Sequence, residues 1–546
     1  MPNIKVKIDV GFSETEEPVT ENDCVERIGD GSFKLVIGHE YEFDIDRLES
    51  TLLHVNYPAL RTAISEYLER ASKKKACQQL ELAGPGNSIE EHPSLYQVDG
   101  EIGRFAFKIY DVKGKNKKPV FEGIQMFPAR KGRQWYPTCG FKTIALIYGA
   151  VQRSYRQTIT VLNFNRRQEV GGTPLNTLRD VTETEGLKVL DFLTRKTDSI
   201  FKNHGFDSQG VPEATCPVIK DIPEARYLEP ELLQPALNAV CEEMIRKGLA
   251  AEDIETVRQT LVDNKVYEKS EQCVYIHIDD VGAKEQKPHR DKKNPVEAST
   301  VQTEETVSKE AVVNQKSVKK DKRPTVQNTV ARIEQSGNSF TFTGRSVAEI
   351  LRYVLAFLLN NVLLGQNIKV CTDGKRSLQD AIVNFFPWLT KLSLLLDWFH
   401  LVKKFKEDLS IACKGREIRN RHLKQLVILL WFGLVDKAKD YLTEIPATDV
   451  KDSVAIDRLI GYLERNRKWI PCYAMRSKLK LPNSSNPVER CNNLVTARRQ
   501  KHHGMSWSKN GSYALTALNA VTINNATAQW VEHRTLPLTW VAKKAA

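Results

Sequence analysis

The stretch of sequence that decides the predicted fold is an apolar and aromatic run that ends in an acid, Val274-Tyr275-Ile276-His277-Ile278-Asp279. Its β-branched and aromatic residues predict a buried strand. The segment that follows, residues 284–323, is rich in Lys and Glu and predicts a solvated loop or disordered insert. The run therefore indicates an α/β region whose first strand ends in a charged side chain.

The residues after this insert continue the α/β pattern. Two strand-like runs, Val326–Glu334 and Ser339–Phe342, flank a short turn sequence and predict a hairpin. A capping box at Ser346-Val347-Ala348-Glu349 opens an apolar helix. Two further strands, separated by a short helix, are predicted to end at Asp373 and Asp397. This order of strand, hairpin, helix, strand, helix and strand is typical of an RNase H-like mixed sheet.

Carboxylates occupy the ends of two of these predicted strands, at Asp279 and Asp373. Ligand and metal sites in α/β sheets lie at the carboxyl ends of strands. Phosphodiester cleavage uses two Mg²⁺ ions about 3.5–4 Å apart, which two or three carboxylates can hold. A third candidate is Glu489, because Pro487 predicts the start of a helix and sets the glutamate in its first turn. Taken singly, each acid could equally be a loop-facing or dipole-compensating residue.

Composition bounds the class of protein. The chain has 546 residues and a net charge of +12, which indicates roughly three or four domains and favours a polyanionic partner. Its ten cysteines form no C-x-x-C pair, so a zinc ribbon is not expected. Met1–Val10 does not read as a signal peptide, and the apolar stretch Ile350–Leu364 is too interrupted to span a membrane. We therefore expect a cytoplasmic protein.

The upstream half divides into three predicted regions. Residues 1–100 have no assignable role. Residues 101–170 predict a β-rich basic module, with strands at Ile144–Val151 and Thr158–Phe164. Its basic residues alternate with aromatic ones, which suits nucleic-acid binding as well as it suits a solvated face. Residues 171–270 predict a helical DNA-binding region, on a weaker signal.

The downstream half is predicted to hold a catalytic core in two parts. The first part is 271–400 and the last part is 484–530, followed by a tail at 531–546. Between the two parts, residues 401–483 read as amphipathic helices and predict a helical insertion. The predicted fold class is thus α/β, an RNase H-like core with an α-helical insertion, preceded by a small β-rich module and a helical region.

At this point a family resemblance becomes visible. Residues of about 272–525 resemble the DDE transposases of bacterial insertion sequences, which share the RNase H and retroviral-integrase fold. The resemblance rests on these segments: Tyr275–Gln286, Ile368–Gly374, Leu395–His400, Asn486–Arg490 and Arg498–Ser508, the last of which ends in Gly504-Met505-Ser506-Trp507-Ser508.

The resemblance implies a set of site residues. The catalytic and metal-binding triad falls on Asp279, Asp373 and Glu489, with two Mg²⁺ ions as cofactor and Mn²⁺ able to substitute. Asp397 and His400 match an accompanying Asp-x-x-His and are expected to support the site, or else to form a structural pair. Family members commonly have Gly after the first acid, whereas this chain has Asp280. Strand alternation predicts that Asp280 faces the other side of the sheet.

The resemblance also implies a function. It predicts a transposase that binds the terminal repeats of a mobile element, nicks their ends and joins the 3′-hydroxyls to target DNA. The expected partners are double-stranded DNA and further copies of the chain, in the nucleoid-associated cytoplasm of a bacterium and away from membranes. Two alternatives stay open, a domesticated DNA-binding protein and an RNase H-like nuclease without strand transfer. The residues expected to contact DNA are Arg490, Arg498, Arg499, Lys501, His502 and Lys509.

Overall fold

A computed structural model describes most of the chain, in two compact units, Met1–Val181 and Thr182–Ala546. The described residues are 25–28, 32–35, 45–116, 118–128, 134–149, 154–214, 216–220, 222–262, 266–287, 324–501 and 505–540. The predicted polar loop lies outside them from residue 288 onward, and His502 lies outside them as well.

The first unit combines small sheets with long helices. Its strands are β1 (Val25–Ile28), β2 (Ser32–Leu35), β3 (Ser88–Ile89), β4 (Ser94–Gly100), β5 (Gly103–Ile109), β6 (Val112–Lys113), β7 (Pro119–Phe121) and β8 (Trp135–Pro137). Its helices are α1 (Ile45–Ala83), α2 (Cys139–Ile144), α3 (Tyr155–Asn165) and the first turns of α4 (Leu175–His204). The strand orders are β1-β2, β3-β6-β7 and β5-β4-β8.

Two strands predicted in this unit are helical instead. The segment Thr158–Phe164 lies in α3, which begins after Ser154, whose hydroxyl accepts a hydrogen bond from the backbone N–H of Gln157 at 3.0 Å. The segment predicted as Ile144–Val151 is helical as far as Gly149. Helix α3 buries side chains at helical spacing: Tyr155, Thr158, Ile159 and Leu162. The cap and this spacing outweigh the β propensity of the individual residues.

The predicted boundary after residue 100 is also corrected. Strands β4 and β5 pair along their whole length, and Gly100 lies opposite Gly103. The boundary therefore falls in the turn of a hairpin, because both alternating segments belong to one sheet.

The second unit contains one larger sheet and most of the helices. Its strands are β9 (Cys273–Lys284), β10 (Thr325–Gln335), β11 (Asn338–Gly344), β12 (Asn367–Thr372) and β13 (Leu392–Leu396). After α4, its helices are α5 (Pro217–Lys220), α6 (Pro230–Arg246), α7 (Ala251–Val262), α8 (Val347–Asn360), α9 (Arg376–Phe385), α10 (Trp398–Ala412), α11 (Arg416–Trp431), α12 (Val435–Thr443), α13 (Ser453–Asn466), α14 (Tyr473–Lys478), α15 (Asn486–Asn492), α16 (Arg498–Gln500), α17 (Lys509–Ile523) and α18 (Thr527–His533).

The sheet has five strands in the order β11-β10-β9-β12-β13. The pairs β11-β10 and β10-β9 are antiparallel, and β9-β12 and β12-β13 are parallel. The predicted hairpin is confirmed, and so is the capped helix, because the Ser346 hydroxyl accepts from the backbone N–H of Glu349 at 3.2 Å. The predicted α/β class with a mixed sheet is therefore confirmed.

The predicted insertion is helical, and its helices share a core with two helices from further upstream. Leu237 of α6 and Val257 of α7 belong to one buried cluster with Leu395 of β13 and Leu426 of α11. The predicted region 171–270 is therefore not a separate domain: α6 and α7 bury their apolar faces against the second unit's own core.

Helix α8 is the apolar helix whose sequence most resembles a membrane segment. It has 14 residues, and nine of them are buried. Its Phe357 packs against Phe340 and Phe342 of β11, with ring centroids 5.0 and 5.9 Å apart. Across the described ranges, every helix is too short or too polar to cross a membrane.

One close helix contact depends on a glycine. A Cβ atom at Gly186 of α4 would lie 2.2 Å from the carbonyl oxygen of Ala514 in α17. Such a distance is far inside van der Waals contact, so the two helix backbones approach this closely only because residue 186 has no side chain.

We expect Gly186→Ala to lower the free energy of unfolding by at least about 2 kcal/mol, because the added methyl group must push two helices apart. Chemical denaturation checks this. The matched control is Gly461→Ala, since a Cβ at Gly461 in α13 meets nothing within 4 Å. That change should stabilise the helix by about 0.5–1 kcal/mol. Equal effects of the two substitutions would contradict the packing argument.

Candidate active site

Two of the predicted acids lie side by side on neighbouring strands. Strands β9 and β12 run parallel, and Cys371 lies opposite His277 in their register. Two residues further along the chain from that pair come Asp279, within β9, and Asp373, directly after β12. Adjacent strands are about 4.8 Å apart, so the register brings the two carboxylates to one level at the carboxyl end of β12.

A third acid, Asp397, occupies the same level on the next strand. Thr372 of β12 lies opposite Leu396 of β13, and the backbone N–H of Asp397 donates to the carbonyl of Thr372 at 2.9 Å. Asp373 and Asp397 thus directly follow the ends of β12 and β13. Asp279 instead lies inside β9, which continues to Lys284. The predicted strand end at Asp279 is therefore wrong, because the residues after it stay paired with β10.

Asp279 is held from two sides. Its Oδ1 accepts from the backbone N–H of Asp280 at 2.8 Å, and its Oδ2 accepts from the side-chain amide of Asn492 at 2.6 Å. Burial raises the pKa of Asp279 to about 6; the charge of Asp373 acts in the same direction, and the Asp280 N–H opposes it. A neighbouring cation stabilises the ionised form of a buried carboxylate such as this one.

Asp280, which occupies the position where a glycine was expected, faces away from this site. Its carboxylate accepts from the Thr329 hydroxyl at 2.7 Å and from Lys375 Nζ at 2.8 Å. The prediction from strand alternation is therefore confirmed for Asp280. Of the two consecutive acids, Asp279 is the one that meets the helix carrying Glu489.

The turn after β12 fixes Asp373. Its Oδ1 accepts from the backbone N–H of Lys375 at 2.9 Å. Gly374 has a φ of 82°, a conformation that favours glycine. A Cβ at Gly374 would lie 2.3 Å from the hydroxyl of Tyr462 in α13. The insertion therefore packs directly against the turn that carries this acid.

Glu489 lies in the first turn of α15, as Pro487 predicted. The helix continues through a π-helical segment, Asn493–Ala497, into α16. The Glu489 side chain is 49% exposed, and its Oε1 lies 3.6 Å from Nε2 of His400. The glutamate thus lies near His400, the residue that hydrogen-bonds to Asp397.

Asp397 and His400 serve two purposes. Asp397 caps α10, since its Oδ1 accepts from the backbone N–H of His400 at 2.6 Å and lies 3.1 Å from the ring Nδ1. Its Oδ2 accepts from the backbone N–H and, at 3.0 Å, the hydroxyl of Ser485. The hydrogen bond to Asp397 raises the pKa of His400. Asp397 thus has a structural role, whereas His400 lies between Asp397 and Glu489.

The donor set suits a hard divalent cation. The described residues contain no group of three His, Cys, Asp or Glu side chains close enough to form a complete metal centre. Mg²⁺ needs few protein ligands because it keeps several waters. Asp279 and Asp373 supply two carboxylates at one level, and Asn492 supplies a buried amide oxygen that has no hydrogen-bond partner. These oxygens fit Mg²⁺ or Mn²⁺ better than a softer metal.

The residues predicted to contact DNA divide into two groups. The exposed ones in the described part are Arg490, Arg498, Lys501 and Lys509. The prediction for Arg499 is wrong: its side chain is 2% exposed and lies over the ring of Trp507, 5.0 Å from its centroid. Burial against the aromatic ring therefore removes it from a DNA-facing surface.

The segment that follows α16 has an architectural role that sequence reasoning missed. The backbone N–H of Trp507 donates to the carbonyl of Lys284, and the backbone N–H of Gln286 donates to the carbonyl of Trp507, both at 2.9 Å. The Gln500 side-chain amide meanwhile donates to Thr516 of α17 at 3.0 Å. This segment therefore ties the Glu489 helix to the end of β9. The motif that contains Trp507, which contributes to the family resemblance, is the available signal in the sequence.

Asn492 is the other residue that sequence reasoning missed. It follows Glu489 by three positions, which puts both side chains on one face of the helix. That spacing was the available signal.

Searches of protein-family models, curated proteins and solved structures found no match to this chain.

We expect Asp397→Ala to lower the free energy of unfolding by at least about 3 kcal/mol, because it leaves the donors of Ser485 and His400 unpaired in a buried site. Urea denaturation measures this. The control is Asp452→Ala, which removes a less buried cap of α13 with one hydrogen bond, to Val454, and should cost about 1 kcal/mol. If Asp397→Ala lowers the free energy of unfolding no more than Asp452→Ala does, Asp397 does not link Ser485 to α10 in the way argued.

Proposed function

We propose that this protein is a DNA transposase of the DDE type with an RNase H-like catalytic core. The observation that carries the proposal is the pair Asp279 and Asp373, level on adjacent parallel strands, with Glu489 on a helix that packs across the same face. Three carboxylates on these elements match the set that the family resemblance implies.

The topology supports the finer fold assignment. An antiparallel three-stranded unit is followed by two parallel strands on the far side of β9. One acid lies within β9, another directly follows β12, and the third is on a helix that comes after the last strand and the helical insertion. This arrangement suits an RNase H-like core interrupted before its final helix.

The proposed chemistry is hydrolysis followed by transesterification. Two Mg²⁺ ions, with Mn²⁺ able to substitute, would supply activation of the attacking oxygen and stabilisation of the leaving oxygen. Asp279 and Asp373 would hold one ion between them, and Glu489 would complete the second position. His400 lies 3.6 Å from Glu489 and would help to hold it near the cation, and Asp397 fixes His400 in turn.

The reaction would proceed in two stages at the same carboxylates. Water would first cut the phosphodiester at the element's end and free a 3′-hydroxyl. That hydroxyl would then attack a target phosphodiester, forming one bond as it breaks another and releasing a 3′-oxygen. The chain would need no covalent intermediate, because each step exchanges one oxygen at phosphorus for another.

DNA binding would use the exposed cations beside the Glu489 helix. Arg490, Arg498 and Lys501 are exposed on that helix, and Lys509 is exposed at the start of α17. Lys and Arg bind DNA backbones by displacing condensed counterions. The proposed partners are double-stranded terminal repeats, target DNA and further copies of the chain, in the nucleoid-associated cytoplasm of a bacterium.

We expect Asp279→Ala, Asp373→Ala and Glu489→Ala each to abolish Mg²⁺-dependent cleavage of DNA carrying the element's ends, because each removes a charge that holds the cation. Binding to the same DNA should persist. The assay is gel electrophoresis of end-labelled DNA, with a mobility shift as the binding readout. Asp380→Ala is the control, since its carboxylate is exposed on α9 and pairs with Arg376.

The same assay separates the rival functions. Pre-cut ends should be joined to target DNA by the wild-type protein, whereas an RNase H-like nuclease would give no joined product. A domesticated DNA-binding protein would bind the ends and cut nothing. Full cleavage by Asp373→Ala would remove the basis of the proposal.

We expect Arg498→Ala and Arg499→Ala to change different properties of the protein, DNA binding and thermal stability respectively. Arg498→Ala should weaken DNA binding and reduce the slope of log affinity against log salt concentration by about 1, because one phosphate contact is lost. Arg499→Ala should instead lower the melting temperature, because it empties a buried position over Trp507. Binding titrations at several salt concentrations and thermal melts test both, and a reversed pattern would contradict the proposed surface.

A further inference from the structure

Asn492 lies in a fixed position above Asp279. Its neighbours on the helix, Val488 and Cys491, pack in a buried cluster with Val281 of β9 and Val330 of β10. Val330 lies opposite Asp279 in the sheet. The apolar contacts therefore set both the height and the rotation of this helix over the sheet, and the amide of Asn492 has little freedom to leave the site.

The hydrogen bonds of Asn492 are incomplete. Its Nδ2 donates to Oδ2 of Asp279 at 2.6 Å. Its Oδ1 is buried and has no hydrogen-bond partner in the described part of the chain, and the whole residue is 7% exposed. Buried polar atoms are nearly always paired. This oxygen is therefore available to accept a hydrogen bond or to coordinate a cation.

The position of the amide favours a cation. Asn492 donates to the carboxylate of Asp279, and it lies one helical turn from Glu489, the third predicted ligand. An amide oxygen is a hard neutral donor of the kind that Mg²⁺ and Mn²⁺ accept. It adds a ligand without adding a further negative charge to a site that already has three carboxylates.

We propose that Asn492 is an additional oxygen ligand for the divalent cation at Asp279; this inference rests on the proposed function. In the metal-free protein its N–H group satisfies Asp279. A bound cation would be held by Asp279 together with the amide oxygen of Asn492. Asn492 thus keeps Asp279 in position when the site is empty and contributes to affinity when the site is loaded.

Mn²⁺ binding to the full-length protein without DNA tests this, with free Mn²⁺ measured by electron paramagnetic resonance. Asn492→Leu, which lacks both the oxygen and the donor, should weaken Mn²⁺ binding by tenfold or more. Asn492→Asp, which keeps an oxygen but has no donor, should bind Mn²⁺ at least as tightly as the wild type. Asn493→Leu is the matched control, since the neighbouring asparagine is exposed, and it should leave the affinity unchanged.

The outcomes distinguish this inference from the proposed function. If Asn492→Asp loses Mn²⁺ affinity as Asn492→Leu does, the residue acts only as a donor to Asp279, and the inference is overturned while the proposed function stands. If Asn492→Leu binds Mn²⁺ as tightly as the wild type, the inference is also overturned while the proposed function stands. If the wild-type protein binds no Mn²⁺, both are overturned. Thermal melts show whether each variant is folded, and Asn492→Ala replaces the leucine variant if that one is not.

Discussion

The buried carboxylate of Asp397 is the interaction on which the site's geometry depends. It ends β13, begins α10 and accepts from the backbone and hydroxyl of Ser485, immediately before the helix that carries Glu489. One side chain therefore joins the sheet, the first helix of the insertion and the last part of the core. Although burial opposes the shift, the hydrogen bonds from His400 and Ser485 lower the pKa of Asp397, so the carboxylate is ionised at neutral pH.

A second buried charge cluster anchors the insertion deeper in the same face of the sheet. Glu268 is 1% exposed and contacts Arg476 of α14, which is itself 0% exposed, and Lys369 of β12 at 2.8 Å. Burial alone would raise the pKa of Glu268, but the charges of Arg476 and Lys369 hold it below its usual value. Such a cluster contributes little net stability compared with apolar packing. It does specify one arrangement of α14, because any other would leave a charge buried without a partner.

Sequence patterns predicted the second unit far better than the first. The apolar runs that lead to Asp279 and Asp373 both form strands, so local and tertiary preferences agree there. The end of the first strand was predicted too early, because its pairing with β10 continues to Lys284. In the first unit, Thr158–Phe164 has β-branched residues but forms a helix, because the Ser154 cap and the buried spacing decide its state. The separate helical domain predicted at 171–270 failed for a related reason, since a helix's own pattern does not show which core receives its apolar face.

The site was predictable only where chemistry follows from spacing along one element. The first-turn position of Glu489 follows from Pro487, and the outward face of Asp280 follows from strand alternation. The burial of Arg499 could not be read in this way, because it depends on Trp507 closing over the helix. The bond from Asn492 to Asp279 likewise depends on two segments whose packing no local pattern records.

The separation of those two segments has a consequence for biosynthesis. Asn492 and Asp279 are 213 positions apart, with β10 to β13 and the helical insertion between them. At about 5–20 residues per second, a ribosome needs roughly 10–40 s to cross that interval. During this time the nascent chain carries Asp279 and then Asp373 but no Glu489. If the three acids form the proposed site, that site would thus stay incomplete until Glu489 has been synthesised.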